Sequence, residues 1–291
     1  MLDLRLASMS PVLVQGISRQ QGWQQAETIR AYGTNVVGGI ATDGAPDSSG
    51  DITVYRSCTE AVSETHATAC VTVAPPETTA DAVLEAAEAG IRIVVSLAKG
   101  VPAHDTVRVL RRIRELGTIW IGSASSGYAI PSERLKLGWI PDYCLGPGRF
   151  AMITKCDALA YDVGQQMTAA ELGQSIWIDV GNEPAKGTRL SDLVPFLQQD
   201  DATAGVILVG DAGGSDEEEF AEAIKSEGLT KPVFALVPGI SLPDTFAATH
   251  VESLPDATEM SAARKRAALE ASGASVYNSV GALVKSLQAT P

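Results

Sequence analysis

Short apolar runs recur along the chain, separated by longer stretches whose apolar residues return every three to four positions. Runs at 11–16, 35–40, 52–55, 69–73, 91–97 and 118–121 have the continuous β-rich make-up of strands buried on both faces. Helical patterns lie between them: one through Tyr32, one near Glu60, and others over 80–89 and 106–116. Strand and helix alternating through short turns predict a parallel, doubly wound sheet with right-handed crossovers, an α/β Rossmann-like domain.

Between residues 122 and 148 the pattern lapses into prolines and glycines, which predicts a linker or inter-domain loop. Beyond it the alternation resumes. Strands are expected at 150–154, 175–180, 205–209 and 232–236, and helices at 157–170, 190–199, 216–226, 262–271 and 280–287. Ser272 and Gly273 stop the fourth of these helices. A flavodoxin-like sheet closes this half most simply. The expected organisation is a Rossmann-like domain over 1–130, a linker over 131–148 and a flavodoxin-like domain over 149–291.

At 291 residues the chain has room for two such cores. Its net charge of −13 repels nucleic acid and anionic membranes, so neither is an expected partner. Cys58, Cys70, Cys144 and Cys156 have no metal-type spacing and read as reduced thiols. No apolar segment reaches signal-peptide or membrane-spanning length, so the expected location is cytoplasmic.

Chemistry concentrates in V-I-L-V-G-D-A-G-G-S-D-E-E-E, residues 206–219. A buried strand that ends in glycines and opens a helix turns backbone N–H groups toward a ligand. The acidic run 216–219 is expected as a solvated first turn, where carboxylates suit the helix dipole. G-I-S-R-Q-Q-G at 16–22, again strand, turn and helix, has the form of a phosphate cradle.

G-D-A-G-G-S-D-E-E-E resembles the G-E-I-G-G-S-x-E-E-E of the succinyl-CoA synthetase alpha-subunit family, the ADP- or GDP-forming acyl-CoA ligases. The likeness runs nearly the whole chain. It includes A-Y-G-T-N-V-V-G-G, E-A-A-E-A-G-I-R-I-V-V and A-A-L-E-A-S-G, and residues 16–22 resemble the family's CoA-phosphate loop G-F-T-G-x-Q-G. The resemblance implies a Rossmann-like CoA-binding domain followed by a flavodoxin-like ligase domain. It also implies a small carboxylic acid substrate activated as an acyl phosphate, and a separate ATP-grasp beta subunit carrying ATP or GTP with magnesium. In the family the phosphoryl group passes through a histidine and CoA captures the acyl group.

Carried onto this sequence, the resemblance makes His250 the phosphoryl carrier, seven residues after Pro243 and twenty before Glu270 as in the family. Asp211 stands at the glutamate that accepts a hydrogen bond from that histidine. Paired with His250 it would orient the imidazole; otherwise it is a turn residue. The coenzyme contacts fall on Gly16, Ser18, Arg19, Gln20, Gln21, Gly22 and Ser125, and the phosphate site on Thr154, Lys155 and Cys156. No metal ligands are expected on this chain.

Several positions depart from the family. His250 lies in T-H-V-E-S-L-P instead of a glycine-rich loop, and Asp157 replaces a glycine at the phosphate-facing helix start, where it would cap the helix itself and repel an anion. Residues 123–126 are Ser-Ala-Ser-Ser where the family has P-N-C-P, and Asp43 and Asp47 lie near a family basic residue, with Arg19 placed to replace that contact. Asn182 and Glu183, in a segment resembling G-G-D-P-I-P-G, face substrate or form a solvated turn. Three activities fit: the ligase alpha subunit, a relative that passes the acyl group to another acceptor such as an amine, or a subunit that keeps the fold as a scaffold.

Overall fold

The computed structural model describes residues 2–41, 51–239 and 262–290. His250, Asp43 and Asp47 lie outside them. The chain divides into two compact units, one of Leu4–Asp142 with Asp179–Thr188 and one of Met1–Asp3, Tyr143–Ile178 and Arg189–Pro291.

The first unit is a six-stranded parallel sheet in the order β3-β2-β1-β4-β5-β6. Its strands are β1 (Val12–Gln15), β2 (Val36–Ile40), β3 (Val54–Tyr55), β4 (Ala69–Thr72), β5 (Ile93–Ser96) and β6 (Ile119–Ile121), and its helices α1 (Gln20–Tyr32), α2 (Cys58–Thr65), α3 (Pro76–Glu88) and α4 (Ala103–Glu115). Every residue of β1, β4, β5 and β6 is buried, which is why these strands read as unbroken apolar runs. Helix α4 turns Thr106, Val109 and Ile113 inward at helical spacing, and its arginines form surface pairs such as Arg108–Asp81. Leu13, Val83, Val94, Ile113 and Trp120 belong to one core cluster, and the Trp120 indole N–H donates to Ser96 Oγ at 2.8 Å.

Residues 122–148 correct the expectation of a linker. Within them β7 (Gly127–Ile130) and β8 (Leu135–Gly138) pair antiparallel, and both are buried throughout. Four-residue strands covered on both faces show no alternation, and their glycines read as turn residues. The second unit orders its strands β13-β12-β11-β9-β10: β9 (Pro147–Thr154), β10 (Gln174–Asp179), β11 (Gly205–Val209), β12 (Val233–Leu236) and β13 (Ser275–Tyr277). Its helices are α5 (Asp157–Ala169), α6 (Val194–Gln199), α7 (Asp216–Glu227), α8 (Ala262–Ala271) and α9 (Val280–Gln288). Strand β13 escaped the sequence pattern because its three residues are half-buried or exposed.

The four cysteines are free thiols. Gln15, buried at the end of β1, donates its amide N–H groups to Cys58 Sγ at 3.1 Å and the Ala82 carbonyl at 3.0 Å. Its amide oxygen accepts from Thr72 Oγ1 at 2.7 Å. Burial pushes the Cys58 thiol far above the ordinary cysteine value, Cys70 up to about 12 and Cys144 up to about 11. Thiolate is the reactive form, so these three are shielded both sterically and electrostatically. Alkylation of the native chain with iodoacetamide at pH 8, read by peptide mass spectrometry, is expected to modify the partly exposed Cys156 first. The other three should react only after denaturation, and equal rates at all four would contradict this packing.

Candidate functional site

In the first unit, the end of β1 and the start of α1 are pressed onto neighbouring backbone. Gly16 has φ +83°, and a Cβ there would lie 2.1 Å from the Val73 carbonyl oxygen; a Cβ on Gly22 would lie 2.0 Å from the Gly16 carbonyl oxygen. Only glycines allow this approach of helix to strand end. The Gly16 N–H donates to the Ile40 carbonyl at 2.9 Å, and Ser18, Arg19, Gln20 and Gln21 follow on the surface. Arg19 is the extended residue just before the helix, and the first turn of α1 holds no acidic side chain, so its positive dipole end faces outward unneutralised by carboxylates of that turn.

Beside this turn, a cavity of about 370 Å³ opens beyond the carboxyl ends of β4 and β5. Val73 and Ala74 follow β4 into its wall, Leu97 and Ala98 follow β5, Gln21 and Gln24 reach it from α1, and Trp139 completes it. Strand β1 has β2 on one side and β4 on the other, the point where the chain reverses its direction of winding and where open α/β sheets bind ligands. Gln21 is thus brought together with the Gly16 turn. Ser125 is not among the cavity's lining residues: its buried hydroxyl donates to the Asp179 carbonyl at 2.5 Å and accepts from the Gly127 N–H at 3.0 Å. Glu183 Oε1 accepts from the Gly100 N–H at 2.6 Å, so this carboxylate braces a turn.

In the second unit, β9 and β11 lie side by side in parallel, Thr154 opposite Val209. The turns that follow them, 154–156 and 210–215, are therefore neighbours, which brings Asp211 close to Thr154, Lys155 and Cys156. Thr154 Oγ1 donates to the Val209 carbonyl at 3.0 Å and accepts from the Cys156 N–H at 2.9 Å. Lys155 is buried; its ammonium donates to the Gly213 carbonyl at 2.8 Å and to Asp216 Oδ2 at 2.9 Å. Asp211 is half-buried, with Oδ1 accepting from the Ala212 N–H at 2.7 Å and its own N–H donating to Glu217 Oε1 at 2.8 Å. Asp157, the first residue of α5, accepts the Ala158 N–H at 2.9 Å, so one donor of that helix start is already in use.

The acidic run at 216–219 is not the solvated turn its composition suggested. Asp216 is 7% exposed and Glu217 0%. The reason is a second lysine that the motif reading missed: Lys265 of α8, itself fully buried, donates to the Gly213 carbonyl at 3.1 Å, the Gly214 carbonyl at 2.5 Å and Glu217 Oε2. Glu218 lies 3.6 Å from the same ammonium, and Glu219 pairs with Arg189 through both carboxylate oxygens at 2.9 and 2.7 Å. The sequence carried a signal for this. Lys265 sits with Ala262 and Leu269 on the inward stripe of α8, and Glu217 with Phe220, Ala221 and Ile224 on that of α7. Opposite charges on two apolar stripes predict a buried pair.

Two ammonium groups thus draw the Gly213 and Gly214 carbonyls inward. Because C=O and N–H of a trans peptide point opposite ways, the N–H groups of Gly214 and Ser215 are turned away from the lysines. Such a row of outward N–H groups ahead of a helix can take an anion. Among the described residues no group of three or more His, Cys, Asp or Glu side chains is placed to hold a metal ion.

Comparison with known proteins agrees with this architecture. Residues 7–100 match the family model described as a CoA binding domain, and 147–290 the succinyl-CoA ligase like flavodoxin domain. The chain is 33% identical to the succinate–CoA ligase [ADP-forming] subunit alpha 1 of Archaeoglobus fulgidus, over 95% of this chain and 94% of that one. It is 33% identical to the malate–CoA ligase subunit alpha of Methylorubrum extorquens, over 94% of each, and 30% identical to an ADP-forming sulfoacetate–CoA ligase subunit of Bilophila wadsworthia, over 96% and 97%. The solved ATP citrate lyase of Methanothrix soehngenii superposes with a TM-score of 0.81 at 20% identity, over 97% of this chain; the chain spans about half the length of that structure, 50%. A CoA-binding unit followed by a flavodoxin-like ligase unit defines the class, an acid–CoA ligase component. Within it, this chain belongs to the alpha-subunit family of the ADP-forming CoA ligases.

The buried cluster makes two predictions. Lys265→Met removes the ammonium hydrogen-bonded to Glu217 and leaves it only Lys155, 3.9 Å away; it should destabilise the chain by about 3 kcal/mol in urea denaturation, with part regained in Lys265→Met/Glu217→Gln. Burial alone would lower the Lys155 pKa, but Glu217, Asp216 and Asp211 outweigh it and hold it above the ordinary lysine value. A raised folded-state pKa stabilises fully below the unfolded value of about 10.4 and ceases to do so as pH rises through the folded value. Urea midpoints of the native chain should therefore lose this contribution only above about pH 10.4, and Lys155→Met should flatten that alkaline limb.

Proposed function

We propose that this chain is the alpha subunit of a nucleoside-diphosphate-forming acid–CoA ligase that works with an ATP-grasp beta subunit. The observation that carries the reading is the joined site of the first unit: an outward helix start free of acidic residues in its first turn, beside a cavity at the switch point of the sheet. The helix start suits the coenzyme's phosphates, with Arg19 as an added cation.

In the second unit the phosphoryl group is carried by His250 and its dianion is received by the Gly214 and Ser215 N–H groups. The turn takes this role because Asp157 has already engaged a donor of the α5 start and brings a negative charge there. Asp211 orients the imidazole, leaving its other nitrogen to accept the phosphoryl group from nucleotide held with magnesium on the partner. The phosphoryl group then passes to the substrate carboxylate as an acyl phosphate, and the coenzyme thiol displaces phosphate to give the thioester. Lys155 and Lys265 act through the turn, fixing its carbonyls so that its donors are preorganised.

The acid is a small carboxylic acid. Relatives of nearly equal identity are named for succinate, malate and sulfoacetate, so overall similarity does not choose among them.

Incubation with ATP, Mg²⁺ and the beta partner is expected to place an acid-labile phosphate on His250, and His250→Ala should abolish both label and thioester formation. Acid-dependent CoA-ester synthesis that survives in His250→Ala would refute the phosphohistidine route. A stable complex with the partner that gives neither label nor turnover would instead point to a scaffold.

A further inference from the structure

Resting on the coenzyme reading above, we propose that Trp139 is the wall of the CoA site that packs against the pantetheine arm. The lining of the cavity holds no charged side chain, so it suits an uncharged portion of a ligand, while the phosphates belong at the α1 start next to it. The pantetheine arm is that portion: an uncharged chain with two amides and a branched apolar segment. Gln21 and Gln24, three residues apart on one face of α1, present carboxamides able to donate to and accept from those amides. Val73 and Leu97 offer the apolar side opposite.

Trp139 is 40% exposed, whereas Trp120 and Trp177 are buried at 1% and 0%. Its backbone is nevertheless fixed. The Trp139 N–H donates to the Ser126 carbonyl at 2.7 Å, and the preceding Gly138 carbonyl accepts from buried Gln25 Nε2 at 2.9 Å. Gln25 adjoins Gln24 on α1, so this bond ties the helix to the end of β8 and holds the indole beside the two glutamines. A large apolar ring carried on a rigid backbone at the mouth of an uncharged cavity gains by being covered, and the arm of the coenzyme is positioned to cover it.

The test titrates CoA into the full chain, with tryptophan fluorescence and calorimetry read together. CoA should change the emission of the wild type, and Trp139→Phe should keep affinity within about threefold while losing most of that change. Trp139→Ala should weaken CoA binding by about tenfold, as loss of about 60 Å² of apolar contact implies, with circular dichroism unchanged. Pantetheine should change the part of the emission that Trp139→Phe removes, and adenosine 3′,5′-bisphosphate should leave that part unchanged, any response of Trp23 on α1 being common to wild type and variant. Wild-type affinity in Trp139→Ala, or a response to the bisphosphate and none to pantetheine, overturns the proposal and leaves coenzyme binding intact. Failure of the wild type to bind CoA in the calorimeter overturns the coenzyme reading and this inference with it.

Discussion

The second unit depends on the pairing of two buried ammonium groups with the carboxylates at the start of α7. Lys155 follows β9 and Lys265 lies on α8; both donate to the Gly213 carbonyl, and Lys265 donates to that of Gly214 as well. Breaking such a pair leaves an uncompensated charge in the interior, whereas an intact one fixes a flexible glycine turn in one conformation. The cluster joins elements distant in sequence to the one turn that carries Asp211. Direct hydrogen bonds from both ammonium groups offset part of its desolvation cost, and they fix the carbonyls of the turn from below.

The first unit reaches a similar end by different means. There the turn is shaped by contact, with Gly22 against Gly16 and Gly16 against Val73, so the helix start is lowered onto the strand ends without any buried charge. One turn is therefore shaped by steric closeness and the other by electrostatic anchoring. Both devices use the same property of the parallel sheet, which gathers strand ends and helix starts along one edge.

The parallel strands were legible because burial on both faces leaves unbroken apolar runs, as in Ile93–Ser96 and Gly205–Val209. The family was legible because glycine turns that admit no other residue keep their spacing. What local pattern could not give was the fate of residues decided by distant partners. The hairpin of β7 and β8 looked like a linker because its strands are too short to show a period. Glu217 looked solvated because its partner lies 48 residues further on. Ser125, named from its place in a motif, spends its hydroxyl on Asp179 and Gly127, a commitment visible only once the fold brings those groups together.

The boundary strands of the first sheet have a consequence of their own. Strand β3 offers two residues and β6 three. A stray peptide seeking to extend the sheet would find room for few main-chain bonds on either flank, too little to repay the order it would lose. Short flanks of this kind blunt the edges of a sheet against pairing with another chain.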